Sequence, residues 1–201
     1  EHPIVAGTID TVRSTFPIIL IMIAVFYGGE LVWRERDRKL NELIDSTPVA
    51  SWVMTVPKIL AVFIVLLVVN IAGMLTGLTY QLVEGAREFG IASYVRWFII
   101  PPAIDGLLVA VLAVATQVIS PNKYVGWAIV FVWFVGTIFL SNMGYSNPLY
   151  IYGSAPNPQL SDLNGIGSFW IGATVLQLYW LLFAVILAVI AHLLWPRGTD
   201  L

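Results

Sequence analysis

Residues 16–33, "FPIILIMIAVFYGGELVW", run straight into residues 34–52, "RERDRKLNELIDSTPVASW", and this junction decides what kind of protein the chain encodes. The first stretch is as long as one bilayer crossing, which takes roughly 17–25 helical residues. The second holds four basic and two acidic residues between Arg34 and Lys39, the only long charged run in the chain. Grease followed at once by charge reads as a helix leaving hydrocarbon for water.

The composition agrees. The chain is 59% hydrophobic and 11% charged, with a mean hydropathy of +0.86. A soluble domain carries about a quarter charged residues, so water is not the solvent for most of this surface. The net charge of −2 and the absence of a basic face give no sign of a nucleic-acid partner. With no cysteine, disulfides and Cys-based zinc sites are excluded, and His2 and His192 stand at opposite ends of the chain. Neither a metal nor a cofactor is expected.

Five apolar stretches are long enough to cross a membrane: about 16–33, 59–82, 97–119, 124–141 and 169–195. Each is apolar all round, as spans are and surface helices are not. Strand alternation of the outer-membrane type is missing, which leaves an all-α, multi-pass bundle in one domain. If the spans alternate, one set of loops holds seven Lys and Arg residues, including Arg34, Arg36, Arg38, Lys39 and Lys58, and the other holds three. The positive-inside rule then puts 34–58 and the C-terminus in the cytoplasm. The remaining end, the N-terminus, falls outside. In a bacterial inner-membrane chain without a signal sequence, that is explained if a further span precedes Glu1 in a longer polypeptide, and we expect one.

The charged run itself predicts a helix over 30–45. Trp33, Leu40, Leu43 and Ile44 fall near one face, and opposite charges recur at helical neighbours in Arg34/Asp37, Glu35/Lys39 and Arg38/Glu42. Such pairs contribute only about 0.2–0.5 kcal/mol each. Thr47 and Pro48 then suit the cap and first position of a new helix that returns to the membrane near Lys58. Three uses stay open for this connector: a solvated loop that enforces topology, an amphipathic docking element for a partner's groove, or a membrane-surface anchor. The mixed signs of its charges weigh against the last.

The segment "ERDRKLNELIDSTPVASWVMTVPK" resembles the cytoplasmic segment of type-2 ABC exporter permeases, roughly E-R-E-R-G-T-x-E-L-L-x-x-T-P-V-x-x-W with a lysine ten residues after the proline. Glu35, Arg36, Asp37, Arg38, Glu42, Leu43, Thr47, Pro48, Val49, Trp52 and Lys58 match in register, whereas Lys39 replaces the usual glycine and Pro57 the glycine often found before the lysine. "PPAIDGLLVAVLAV", "SPNKYVGWAIV", "PLYIYG", "LSDLNGIGSFWIGA" and "HLLWPRGTD" are similar to permeases fused to a zinc aminopeptidase. The resemblance implies a six-span permease half lacking its first span, with a coupling helix that docks on an ATP-binding subunit. Glu35, Arg36, Asp37, Arg38, Lys39, Glu42, Thr47 and Pro48 would form that coupling site. It also implies a second permease half or a homodimer partner, lipid around the spans, and a fused or partner aminopeptidase. The competing expectation is a non-transporting anchor or scaffold for that aminopeptidase.

Asp105 and Asn70 are the candidates for an intramembrane polar function, since ionisable and polar groups at depth are expensive. Asp105 also lies within a turn of Pro101-Pro102, where an acid complements a helix N-terminus. Asn70 and Gln117 suit interhelical hydrogen bonds. Gly73 and Gly77 form a GxxxG that allows close helix packing, within the chain or with a second half. Residues 142–168, rich in Asn, Pro, Gly and Tyr, are expected to fold as an extracytoplasmic cap or re-entrant piece, which the exporter resemblance implies is an outer gate. No G-x-x-x-x-G-K-[ST] or H-E-x-x-H occurs, so no catalytic residue is expected in this segment.

Overall fold

The structure is a computed structural model that describes residues 4–40, 43–44, 46–47, 49–83, 95, 99–145, 147–155 and 169–195. Among these residues there are five long helices and no strand: α1 (Ile4–Asp37), α2 (Ser51–Val83), α3 (Ile100–Ile119), α4 (Lys123–Asn142) and α5 (Phe169–Leu193). Four contain candidate spans, at Ser51–Tyr80, Ile100–Ile119, Lys123–Asn142 and Ile171–Leu193. The chain is a multi-pass, all-α membrane bundle. The expected span 16–33 lies inside α1 but is not one of the four. From Ile18, its first residue with a described side chain, an 18-residue run takes in Glu30, Arg34 and Glu35.

The helix ends follow local chemistry. Pro101 and Pro102 occupy the first turn of α3, where a missing N–H costs nothing. Asn122 caps α4, its side-chain oxygen accepting from the Val125 N–H at 2.9 Å. The three residues 120–122 between these helices make them an antiparallel hairpin. The second span begins earlier than expected, because α2 runs through Pro57 from Ser51. The proline has no N–H to give the Val53 carbonyl, a loss tolerated close to the end of a helix where water reaches the backbone.

The helix expected over 30–45 ends instead at Asp37. Lys39 adopts a left-handed φ of 55°. Its N–H donates to the Arg36 carbonyl at 2.9 Å, and the Leu40 N–H reaches the Glu35 carbonyl at 2.8 Å. This pair of bonds closes a helix with a Schellman turn. Thr47 is not a helix cap either: it lies in a bend, its hydroxyl donates to the Ile44 carbonyl, and α2 starts only at Ser51. Glu42 and Pro48 lie outside the described residues.

Helix α3 is the axis of the bundle. Gly106, Leu108, Ala110, Val111, Ala113, Val114, Ala115, Gln117 and Val118 are all buried on it. It packs against each of the other four helices, and α4–α1, α1–α2 and α2–α5 are the further neighbours around it. In lipid, apolar side chains gain little from leaving their solvent, so contact area and close backbone approach hold helices together. The small residues of α3 supply that approach. Gly106 faces Leu66 of α2, and Ala113 lies against Gly28 of α1. Gly73 and Gly77 are buried within the single chain. The outer faces of α4 and α5 stay exposed and apolar, as a lipid boundary requires.

Around α3 the ring of helices is open between α4 and α5, which are not a packed pair. Residues 147–155 fill that position. Tyr152 lies with its ring 6.2 Å from Trp133 of α4, 5.3 Å from Trp180 and 5.8 Å from Phe183 of α5. Its hydroxyl donates to the Leu108 carbonyl of α3 at 2.9 Å, and Trp180 Nε1 donates to the Ser154 carbonyl at 3.1 Å. Leu108 is eight residues into α3, about 12 Å along its axis at roughly 1.5 Å per residue. This part of the expected cap therefore dips to mid-depth. Trp133 and Trp180 accordingly serve the interior of the bundle, unlike tryptophans at the membrane interface.

Candidate functional site

The charged junction becomes a site because five helix ends meet there: the last turns of α1, α3 and α5 and the first turns of α2 and α4. Two lysines, Lys58 and Lys123, each find an acid on a different helix. Lys58 Nζ of α2 is 2.8 Å from Glu35 Oε2 of α1. Lys123 Nζ at the start of α4 is 3.1 Å from Asp37 Oδ2 and 3.4 Å from Glu30 Oε1, both on α1. Two of the expected local pairs are thus replaced, while Arg38/Glu42 involves a residue outside the described ones. Asp37 takes Lys123 instead of Arg34, and Glu35 takes Lys58 instead of Lys39, which has turned away behind its left-handed φ.

Lys58 is the most enclosed of these charges, with 8% of the residue exposed. Its ammonium also sits 4.7 Å from the centre of the Trp195 ring, just beyond α5. A buried ammonium needs both a counter-ion and further favourable contacts to offset its lost hydration, and the ring face supplies one. Glu35, Lys58 and Trp195 therefore tie α1, α2 and the end of α5 into one unit. The Arg36 guanidinium lies 4.9 Å from the centre of the Trp33 ring.

One layer deeper, neutral polar groups join α1, α3 and α4. Trp33 Nε1 donates to Gln117 Oε1 at 2.9 Å, and Gln117 Nε2 donates to the Lys123 carbonyl at 3.3 Å. Gln117 is thus the interhelical hydrogen-bonding residue its position in an apolar span suggests. Two glycines permit this crossing. A Cβ on Gly29 would collide with the Trp127 indole nitrogen, and one on Gly126 with the Gln117 amide. The close approach has a cost: Trp127 Nε1 is buried with no hydrogen-bond partner, a loss of about 1–3 kcal/mol for such a group.

Other expected site residues fall elsewhere. Arg38, Lys39 and Thr47 are exposed on the connector. Asn70 is buried in α2 and donates to its own helix, at the Leu66 carbonyl, 3.1 Å away. Asp105 is half-buried in the second turn of α3, engaged in an interaction of its own and far along the helix from the charged end. Neither joins the cluster. Lys123 and Trp127 were not singled out as site residues from the sequence. A basic residue immediately after a Pro-Asn helix start was the available signal for Lys123. Trp127 offered none beyond its place near a span end.

No protein-family model, curated protein or solved structure matches this chain. Its membrane class rests on its own helices, and its function must be argued from the arrangement at the charged end. Chemically, that arrangement can hold helix ends together and transmit displacement between them. Among the described residues no cluster of His, Asp and Glu could hold a metal ion.

Proposed function

We propose that this chain is the membrane-spanning half of an ATP-driven exporter of the type-2 ABC class, in a bacterial inner membrane, with residues 34–58 on the cytoplasmic side. The observation that carries this reading is the fastening of the connector. A segment that merely joins two spans needs no buried ion pair. Here the end of α1 is held by Lys58 from α2 and Lys123 from α4, and through Trp195 by the end of α5. A push on residues 38–50 from an ATP-binding partner would reach every helix of the ring at once. ATP hydrolysis belongs to that partner, and substrate would move along the bundle or between it and a second permease half.

The turn at Lys39 supports the same reading. It is left-handed at the position where the resembled pattern has glycine, the residue that adopts such a φ at no steric cost. Leu43, 69% exposed, stands out from the connector as an apolar anchor for a groove.

The test is co-purification with candidate ABC ATP-binding subunits, comparing the native chain with Lys39→Glu/Leu43→Asp. Both side chains are exposed and outside the bundle. The variant is expected to lose the subunit while keeping its thermal unfolding midpoint. Retention equal to the native chain refutes docking at the connector.

A further inference from the structure

The mixed signs of the charged run argue against a membrane-surface role only while the charges are counted along the sequence. In three dimensions the described acids are already taken: Glu30 and Asp37 by Lys123, and Glu35 by Lys58. Arg34 and Arg38 remain exposed and pair with no acid among the described residues.

Their place at the end of α1 says what they face. Ile19, Met22, Phe26, Glu30 and Arg34 follow one another at spacings of three or four, so they stack along one side of the helix, and Arg38, one residue past its end, continues that side with its N–H donating to the Arg34 carbonyl at 3.3 Å. Ile19, Met22 and Phe26 are exposed in that stripe, the side turned to lipid. Arg34 lies two turns beyond Phe26, about 12 Å at roughly 1.5 Å per residue, which carries it from acyl chains to the headgroup layer. Beside the stripe, Phe26 packs on Trp127 of α4 at 5.0 Å between ring centres, and Tyr124 meets Trp127 edge-on at 5.5 Å. Tyr124 is exposed and has the Lys123 ammonium 5.9 Å from its ring. Amphipathic rings of this kind favour the interface between hydrocarbon and water.

We propose that the α1–α4 edge at the charged end is a binding site for an anionic phospholipid. Arg34 and Arg38 take the phosphodiester and the anionic headgroup, and an acyl chain lies along Phe26 and Met22. The site stands on the membrane character of the chain and does not depend on the exporter reading.

The experiment uses the purified full chain in zwitterionic detergent, titrated with short-chain phosphatidylglycerol, phosphatidylcholine or inorganic phosphate, with bound lipid read by native mass spectrometry. Phosphatidylglycerol is expected to bind at least tenfold more tightly than phosphatidylcholine, and inorganic phosphate to leave its binding unchanged. Arg34→Gln and Arg38→Gln each weaken phosphatidylglycerol by about fivefold, the weight of one cation near an anionic surface, whereas the charge-retaining Arg34→Lys/Arg38→Lys chain keeps its preference. Unfolding midpoints in lipid-free detergent report whether each variant is folded. Equal binding of the two lipids, undiminished binding by the glutamine variants, or displacement by inorganic phosphate overturns the proposal.

Discussion

Replacing Glu35 by Gln tests whether the Lys58 pair holds the helix ends together. The substitution keeps the shape of the side chain and removes the charge 2.8 Å from an ammonium whose side chain is 9% exposed. Stripping one partner from a buried pair costs about 3–5 kcal/mol, because the other charge is left without compensation. Two features lower that figure here. Glu35 keeps 30% of its side chain in contact with solvent, and the Trp195 ring still attracts the ammonium, worth about 0.5–2 kcal/mol. A loss of roughly 2–3 kcal/mol is expected, or about a 30- to 150-fold rise in the unfolding constant. Lys58→Met removes the enclosed charge itself and leaves a carboxylate that can turn to water, so about 1 kcal/mol is expected. The double variant should then resemble Lys58→Met to within about 0.5 kcal/mol, giving a coupling of roughly 2 kcal/mol. Unfolding by SDS titration in micelles, followed by tryptophan fluorescence, measures all four corners of this cycle. Glu35→Gln indistinguishable from the native chain, or strict additivity of the two losses, would refute the assignment.

Gly29→Ala should destabilise the chain by about 1–3 kcal/mol, the usual result of overpacking, because the new methyl meets the Trp127 indole; the same titration measures it, and a neutral result would show that α1 and α4 are not in contact there. Lys39→Gly should leave the fold intact and stabilise it by up to about 1 kcal/mol, since glycine relieves the left-handed φ and gives back part of that gain as freedom in the unfolded chain. A measured loss above that size would place the turn elsewhere. Tyr152→Phe should cost about 1 kcal/mol at neutral pH for the bond to Leu108. An unchanged midpoint in the same titration would contradict that bond.

Much of the fold was legible because lipid imposes a coarse rule: a span must be helical, long and apolar all round. Four of the five stretches read that way coincide with apolar helices, within a few residues at most ends. The second began eight residues early, since a proline near a helix end is a weaker stop than one in its middle. The charged run was read with less success. Regular spacing of Leu40, Leu43 and Ile44 suggested an unbroken helix, but Lys39 takes a conformation that a lysine's own preferences do not announce. Gln117 was recognisable as polar glue, its partner Trp33 was not, and Tyr152 looked like any loop aromatic.

By itself, the sequence determined the solvent, the helical class, the approximate spans and the concentration of charge at one end. Those properties depend on composition and on spacing within a turn or two, which neighbours along the chain decide. Only the tertiary structure decided which charges pair, which helix forms the axis and where the 147–155 segment inserts. Glu35 has helical neighbours of opposite sign, yet its counter-ion is Lys58, twenty-three residues away. Exposed pairs along one helix contribute a few tenths of a kcal/mol, whereas an ammonium enclosed between helices and left without a counter-ion costs several. The buried contact therefore decides the pairing, and it exists only after α1, α2 and α5 have packed.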